Sequence, residues 1–201
     1  MEKAVTIHCN NIRLEGLLHQ NVSERGVVVT HPHPLYGGNM ENPVVEQIVH
    51  GFLESGFTTL RFNFRGTGKS SGVFDDGLGE VDDVRAALDY LKGLKLKALF
   101  LAGYSFGARV NASLVSSGYA VQDHIMVSPP MGVLSFSDVK SLPSTGLILT
   151  GANDGIAPQE MVQSAIHRWQ INPRFEVIKG CDHFYTGCLI RLKDSLLKYL
   201  A

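Results

Sequence analysis

Neither sign of charge prevails in this chain of 201 residues: 18 Lys and Arg stand against 19 Asp and Glu, a net charge of −1. That balance leaves no electrostatic footprint for nucleic acid or an anionic membrane, so neither is an expected partner. Long apolar runs are also missing, and none approaches the ~20 residues that span a bilayer. The first ten residues, MEKAVTIHCN, lack the apolar core of a secretion signal. Cysteine is scarce. Cys9, Cys181 and Cys188 are an odd set without metal-ligand spacing, which argues for a reduced, cytoplasmic chain over a disulfide framework. Cys181 reads as a small buried filler. Internal repeats, low-complexity tracts and linkers are absent too.

What is present is ordinary for a globular protein, with 44% hydrophobic and 18% charged residues. A chain of this length suits a single domain, residues 1–201, with one core burying roughly 70% of its unfolded surface. AVTIHC and IRLEGLLH flank Asn10-Asn11 and read as a hairpin. Six short β-branched or apolar runs follow: GVVVTH, FTTLRFNF, ALFLAGYS, HIMVSP, GLILTG and FEVIKG. Their continuous hydrophobicity suits strands buried on both faces of a mostly parallel sheet.

Helical stripes lie between them. Val44, Val45, Ile48, Val49, Phe52 and Leu53 form one, closed by Gly56. Val81, Val84, Leu88 and Leu91 form another, with Asp82 and Asp83 near its positive end. ARVNASLVSSG stops at Gly118, PQEMVQSAIHRW starts at Pro158, and LIRLKDSLLKYL closes the chain. The alternation predicts a three-layer αβα sandwich on a mostly parallel eight-stranded sheet with an N-terminal hairpin.

Chemistry in such sheets gathers at the carboxyl ends of the strands. After ALFLA comes Gly103-Tyr104-Ser105-Phe106-Gly107 and then a helix. This strand–turn–helix G-x-S-x-G pattern exposes a serine on a sharp turn. A serine hydroxyl needs an imidazole to take its proton and a carboxylate to orient that imidazole. Asp154 follows GLILT in GANDG, and His183 follows FEVIK in GCDHF. Asp182 is a rival acid, but as the neighbour of His183 it is poorly placed to reach the ring.

GYSFG, GANDG and GCDHF in this order resemble the α/β-hydrolase superfamily over essentially the whole chain. Within it the sequence is most similar to small lidless enzymes related to dienelactone hydrolases and short-chain carboxylesterases. Dienelactone hydrolases use a cysteine nucleophile, and this chain has Ser105. The resemblance implies a serine hydrolase acting on a small ester, thioester or lactone, without cofactor or metal. A non-catalytic binding or scaffold protein is the alternative, and a homodimer is left open.

The resemblance places an oxyanion donor in the loop after GVVV, THPHPLYGGN, beside Phe106 N–H. Pro32 and Pro34 have no N–H, leaving His33, Leu35 or Tyr36, with Leu35 as the expectation. His31 reads as a brace for this loop rather than a metal ligand. Only PPMGVLSFSDVKSLPST separates HIMVS from GLILT, too little for a cap domain. The open site would be rimmed by Tyr36, Met131, Phe184 and Tyr185. NFRGTGKSSG ends like a nucleotide-binding P-loop, yet Asn63 stands where its first glycine belongs and no helix begins at Lys69. Arg65 and Ser70 are expected to tie loops together there.

Overall fold

The computed structural model describes residues 1–201. The hairpin pairs β1 (Lys3–Cys9) with β2 (Ile12–His19), and β2 lies antiparallel against β4 (Thr58–Phe62). β3 (Arg25–Thr30), β5 (Ala98–Tyr104), β6 (Asp123–Val127), β7 (Thr145–Gly151) and β8 (Arg174–Ile178) are parallel with β4. The order across the sheet is β1-β2-β4-β3-β5-β6-β7-β8. Because β3 sits between β4 and β5, the loops after these three strands meet at one edge of the sheet.

Two hydrophobic cores cover the two faces. Strand alternation assigns each residue to one of them: Val27 and Val29 of β3 face one core, Val28 the other. α1 (Pro43–Glu54) and α5 (Leu189–Leu200) pack on the first face through Val45, Ile48, Phe52, Leu192 and Leu196. α2 (Leu78–Gly93), α3 (Phe106–Ser116) and α4 (Gln159–Trp169) cover the second through Val84, Leu88, Leu114, Val162 and Trp169. The three-layer sandwich is therefore observed. No helix is long and apolar enough to cross a membrane.

Helix starts follow local chemistry. Asn42 caps α1 by accepting the Val44 N–H at 2.9 Å, with Pro43 at the first position. α2 begins three residues before the apolar stripe at Val81. Its end is capped by Glu80, which accepts from Asp75 N at 2.9 Å and Gly77 N at 2.8 Å. Asp83, expected to serve that end, is instead buried and pairs with Arg65.

Candidate active site

Ser105 links β5 to α3 at φ 54° and ψ −118°, a conformation that L-residues rarely adopt. The flanking glycines make the turn possible. A Cβ on Gly103 would lie 2.7 Å from Ala108 N, and one on Gly107 would lie 2.7 Å from Thr30 O. The turn is held by Ser105 N–H donating to Val127 O on β6 at 2.9 Å. The hydroxyl is thereby aimed at the loop after β8.

There His183 Nε2 lies 3.0 Å from Ser105 Oγ, and His183 Nδ1 lies 2.9 Å from Asp154 Oδ2. With the ring neutral, Nδ1–H donates to the carboxylate and Nε2 accepts from the serine. All three side chains belong to largely buried residues. Burial alone would raise the Asp154 carboxyl. Hydrogen bonds from His183 and the Ala157 N–H, with the attraction of His183, outweigh it and hold the group below the usual carboxylate range. Ile156 N and Ala157 N donate to Asp154 Oδ1 at 3.0 and 2.7 Å. Asp182 turns away and accepts Thr186 N–H at 2.9 Å, capping its own loop.

The loop before α1 is braced as expected. His31, fully buried, donates from Nδ1 to Pro32 O at 2.7 Å and accepts Phe64 N–H at Nε2 at 3.0 Å. Both ring nitrogens are used, so neither is free for a metal. Burial lowers its pKa to about 4. Pro34–Tyr36 form one turn of 3-10 helix. Within it Leu35 N–H donates to His33 Nδ1 at 3.3 Å and Tyr36 N–H to His33 O at 3.1 Å. This counts against Leu35 as the second oxyanion donor, because its N–H already has an acceptor. His33 N–H has no protein acceptor, nor does Phe106 N–H at the start of α3. The His33 ring packs on Phe106, centroids 4.8 Å apart.

Of the rim residues, Tyr36 and Phe184 are exposed at 88% and 67%. The Phe184 ring stands edge-on to His183, centroids 5.6 Å apart. Met131 is buried, packed with the second-face core. Tyr185 is no rim residue at all. It is fully buried at φ 55°, its hydroxyl 2.9 Å from Ser128 Oγ. A second correction concerns sulfur: Cys181 and Cys188 form a disulfide, with Cα atoms 5.8 Å apart, that closes the loop carrying His183. Cys181 is thus a tether, and Cys9 is the free thiol. The supporting residues Tyr104, Ser128 and Tyr185 were not anticipated. The one signal available was that Ser128 ends a strand, as Ser105 and Asp154 do.

A solved α/β serine hydrolase homologue from Coxiella burnetii superposes with a TM-score of 0.92 at 33% identity, covering 99% of this chain and 97% of its own. The chain belongs to the lidless α/β serine hydrolases. A member of that group from Xanthomonas campestris, described as lacking a lid, matches at 31% identity with a TM-score of 0.92, over 99% of this chain and 93% of its own. An uncharacterized Rickettsia prowazekii protein is 37% identical over 200 residues, 94% of this chain and 84% of that protein. No family model matches the chain. In this hydrolase only residues 128–144, tied to α3 by Arg109 on Ser135 O and Asp138, connect β6 to β7.

Proposed function

We propose that this hydrolase cleaves a small ester, thioester or lactone through an acyl-Ser105 intermediate. The observation that carries the proposal is the unbroken hydrogen-bonded chain Ser105–His183–Asp154 at the ends of β5, β7 and β8. His183 Nε2 takes the Ser105 proton as Oγ bonds to the carbonyl carbon. The resulting oxyanion is received by Phe106 N–H and, in place of Leu35, by His33 N–H, both lacking a protein acceptor. The same imidazole then protonates the leaving alcohol or thiol as the carbon–heteroatom bond breaks. Water repeats the sequence on the acyl-serine, releasing the acid and restoring Ser105. Asp154 fixes the tautomer and stabilises the imidazolium throughout.

The resemblance to dienelactone hydrolases and short-chain carboxylesterases, together with a site that no cap domain covers, supports a small substrate. Tyr36 and Phe184 would flank it, with Met131 behind them. A cytoplasmic location is proposed on the sequence features, with Cys181–Cys188 as a bond that a reducing compartment would open. A fluorophosphonate probe tests the reading: it should label the wild-type protein and leave Ser105→Ala unlabelled. Absence of labelling on folded wild-type protein would favour a non-catalytic scaffold. A panel of esters, thioesters, lactones and amides then defines the bond cleaved.

A further inference from the structure

The order of strands divides the surface around Ser105 in two. β4 and β3 lie on one side of β5, and β6, β7 and β8 lie on the other. His183, after β8, therefore faces Ser105 from the side away from the loops that follow β3 and β4. It is held there by Tyr104 O–H, which donates to His183 O at 2.9 Å. A leaving group must take its proton from His183 Nε2, so the alcohol or thiol half of a substrate belongs on that side, beside Phe184. The acyl half is left to the other.

That other side is a wall of rings. The His33 ring lies 4.8 Å from Phe106, 5.1 Å from Phe74 and 4.9 Å from Tyr36, centroid to centroid, and Phe74 lies 5.7 Å from Phe106. Phe106 directly follows the nucleophile, so the wall begins beside the reacting atoms. Phe106 is buried, His33 and Phe74 are half-buried, and Tyr36 is exposed. The loop that carries Phe74 adds Val73 and Leu78, each 77% exposed. Interior packing accounts for Phe106 and Phe74 but not for Tyr36, Val73 and Leu78, which nothing in the chain covers. The cations of the neighbouring loops are already paired: Arg65 with Asp83, Arg109 with Asp138 and Lys69 with Glu15. Asp75 and Asp76, next to Phe74, are exposed. Burial lowers the pKa of His33 and outweighs the pull of Asp76, so the ring adds no positive charge.

We propose that His33, Phe74 and Tyr36 form the acyl subsite, and that it selects esters or thioesters of uncharged acids carrying an aromatic ring. The inference rests on the reading of Ser105, His183 and Asp154 as the reacting set. Rings at these spacings receive a further ring by offset or edge contacts, which are worth more than their buried area alone. A carboxylate on the acyl group would instead meet Asp76 with no unpaired cation to receive it. Phe74 and Tyr36 touch the acyl group and no reacting atom, so their contribution is specificity, read in kcat/KM.

Ethyl hydrocinnamate and phenylpropyl acetate are isomers that carry the same ring on opposite sides of the ester, and they separate the two halves of the site. Wild-type protein should hydrolyse ethyl hydrocinnamate with kcat/KM about tenfold above phenylpropyl acetate. Phe74→Ala should reduce that preference about tenfold and Tyr36→Ala about threefold. Tyr36 is 88% exposed, so its variant carries the test even if Phe74→Ala folds poorly. Ethyl hydrogen succinate should turn over at less than about a tenth of the rate of ethyl butyrate. Equal rates or no turnover for the two isomers, the reverse preference, a preference that survives both substitutions, or succinate turnover above that limit would overturn the proposal. Fluorophosphonate labelling of Ser105 would in those cases leave the underlying reading intact. Wild-type protein that neither labels nor turns over any ester would overturn both.

Discussion

The two loop clusters at the carboxyl edge of the sheet are built on opposite principles. The cluster after β3 and β4 is nearly saturated, the His33 N–H and the Thr67 hydroxyl excepted, and mostly relaxed. His31 uses both nitrogens, and Asn63 accepts Met40 N–H and donates to Glu15. Ser70 Oγ accepts Glu15 N–H and donates to Asn63 O, while Arg65 holds Asp83 at 2.7 Å. The cluster after β5, β6 and β8 is strained, with Ser105, Ser128 and Tyr185 at positive φ and the Phe106 N–H left open. One region spends its polar groups on holding loops still; the other keeps a hydroxyl, an imidazole and a donor available. Substitution should therefore cost stability in the first and rate in the second.

The largest effect sharpens that division on the strained side. Ser105→Ala should remove hydrolysis by roughly 10⁴-fold or more, since loss of a nucleophile leaves only binding and oxyanion stabilisation. Its thermal midpoint should not fall, because alanine meets the same strain at φ 54° as serine and the serine hydroxyl makes no structural bond beyond His183. A large loss of stability in that variant would mean that the two regions are not separable.

On the saturated side, Arg65→Ala removes the charge facing Asp83, whose side chain has no solvent exposure. Leaving one half of a buried pair costs about 3 kcal/mol or more. Denaturant unfolding should show this, with kcat nearly unchanged in whatever fraction stays folded. A drop in kcat without a drop in stability would assign Arg65 to the chemistry.

pH tests the same region by another route. His31 is lowered by burial to about 4 from an ordinary 6.5. Between those values the unfolded chain binds a proton that the folded one does not, so stability falls as pH falls from 6.5 toward 4. The loss is roughly 3 kcal/mol at the bottom of the window. His124, lowered to about 3 by complete burial, acts with the same sign. Unfolding midpoints measured across this range should decline, and the decline should be shallower in His31→Gln. An equal slope in that variant would remove His31 from the account.

Much of this was legible because the signals are local. The strand order of chemistry, with Ser105, Asp154 and His183 each just past an apolar run, needs only hydrophobic runs and turn residues to be read. His31, Arg65 and Ser70 were legible as braces for the same reason. What failed lies where no periodicity operates. In the irregular stretch Asp182–Gly187 nothing dictates which side chains point inward, and Tyr185 went to the core while Phe184 stayed out. The pairing of Cys181 with Cys188 depends on that loop folding back on itself. Whether Leu35 or His33 has a free N–H turns on a single 3-10 turn. The early start of α2 was hidden because the apolar stripe begins only at Val81, although Glu80 caps the end before it.

The disulfide binds the strained region from outside. It closes a loop of sequence separation seven, for which constraint of the unfolded chain is worth roughly 2 kcal/mol. Cys181→Ser/Cys188→Ser should lower stability by about that much and reduce kcat through a looser His183. Full activity and stability in the double variant would show that the Tyr104 and Tyr185 contacts hold the loop without it.

The smallest expected effect falls on Lys69, the residue that made NFRGTGKSSG resemble a nucleotide loop. Its side chain is 89% exposed and reaches Glu15 only at 3.8 Å, a pairing of the kind that contributes little. The backbone around it is already committed: Lys69 N–H donates to Glu15 Oε2, Ser70 N–H to Thr67 O and Ser71 N–H to Arg13 O. A phosphate would need those N–H groups pointing outward at a helix start, and α2 does not begin until Leu78. Lys69→Ala should therefore change stability by less than about 0.5 kcal/mol and leave hydrolysis unchanged. Calorimetric titration with ATP should give no saturable heat. Micromolar binding that disappears with Lys69→Ala would instead show that the saturated cluster opens to take a ligand, and the contrast between the two regions would fail.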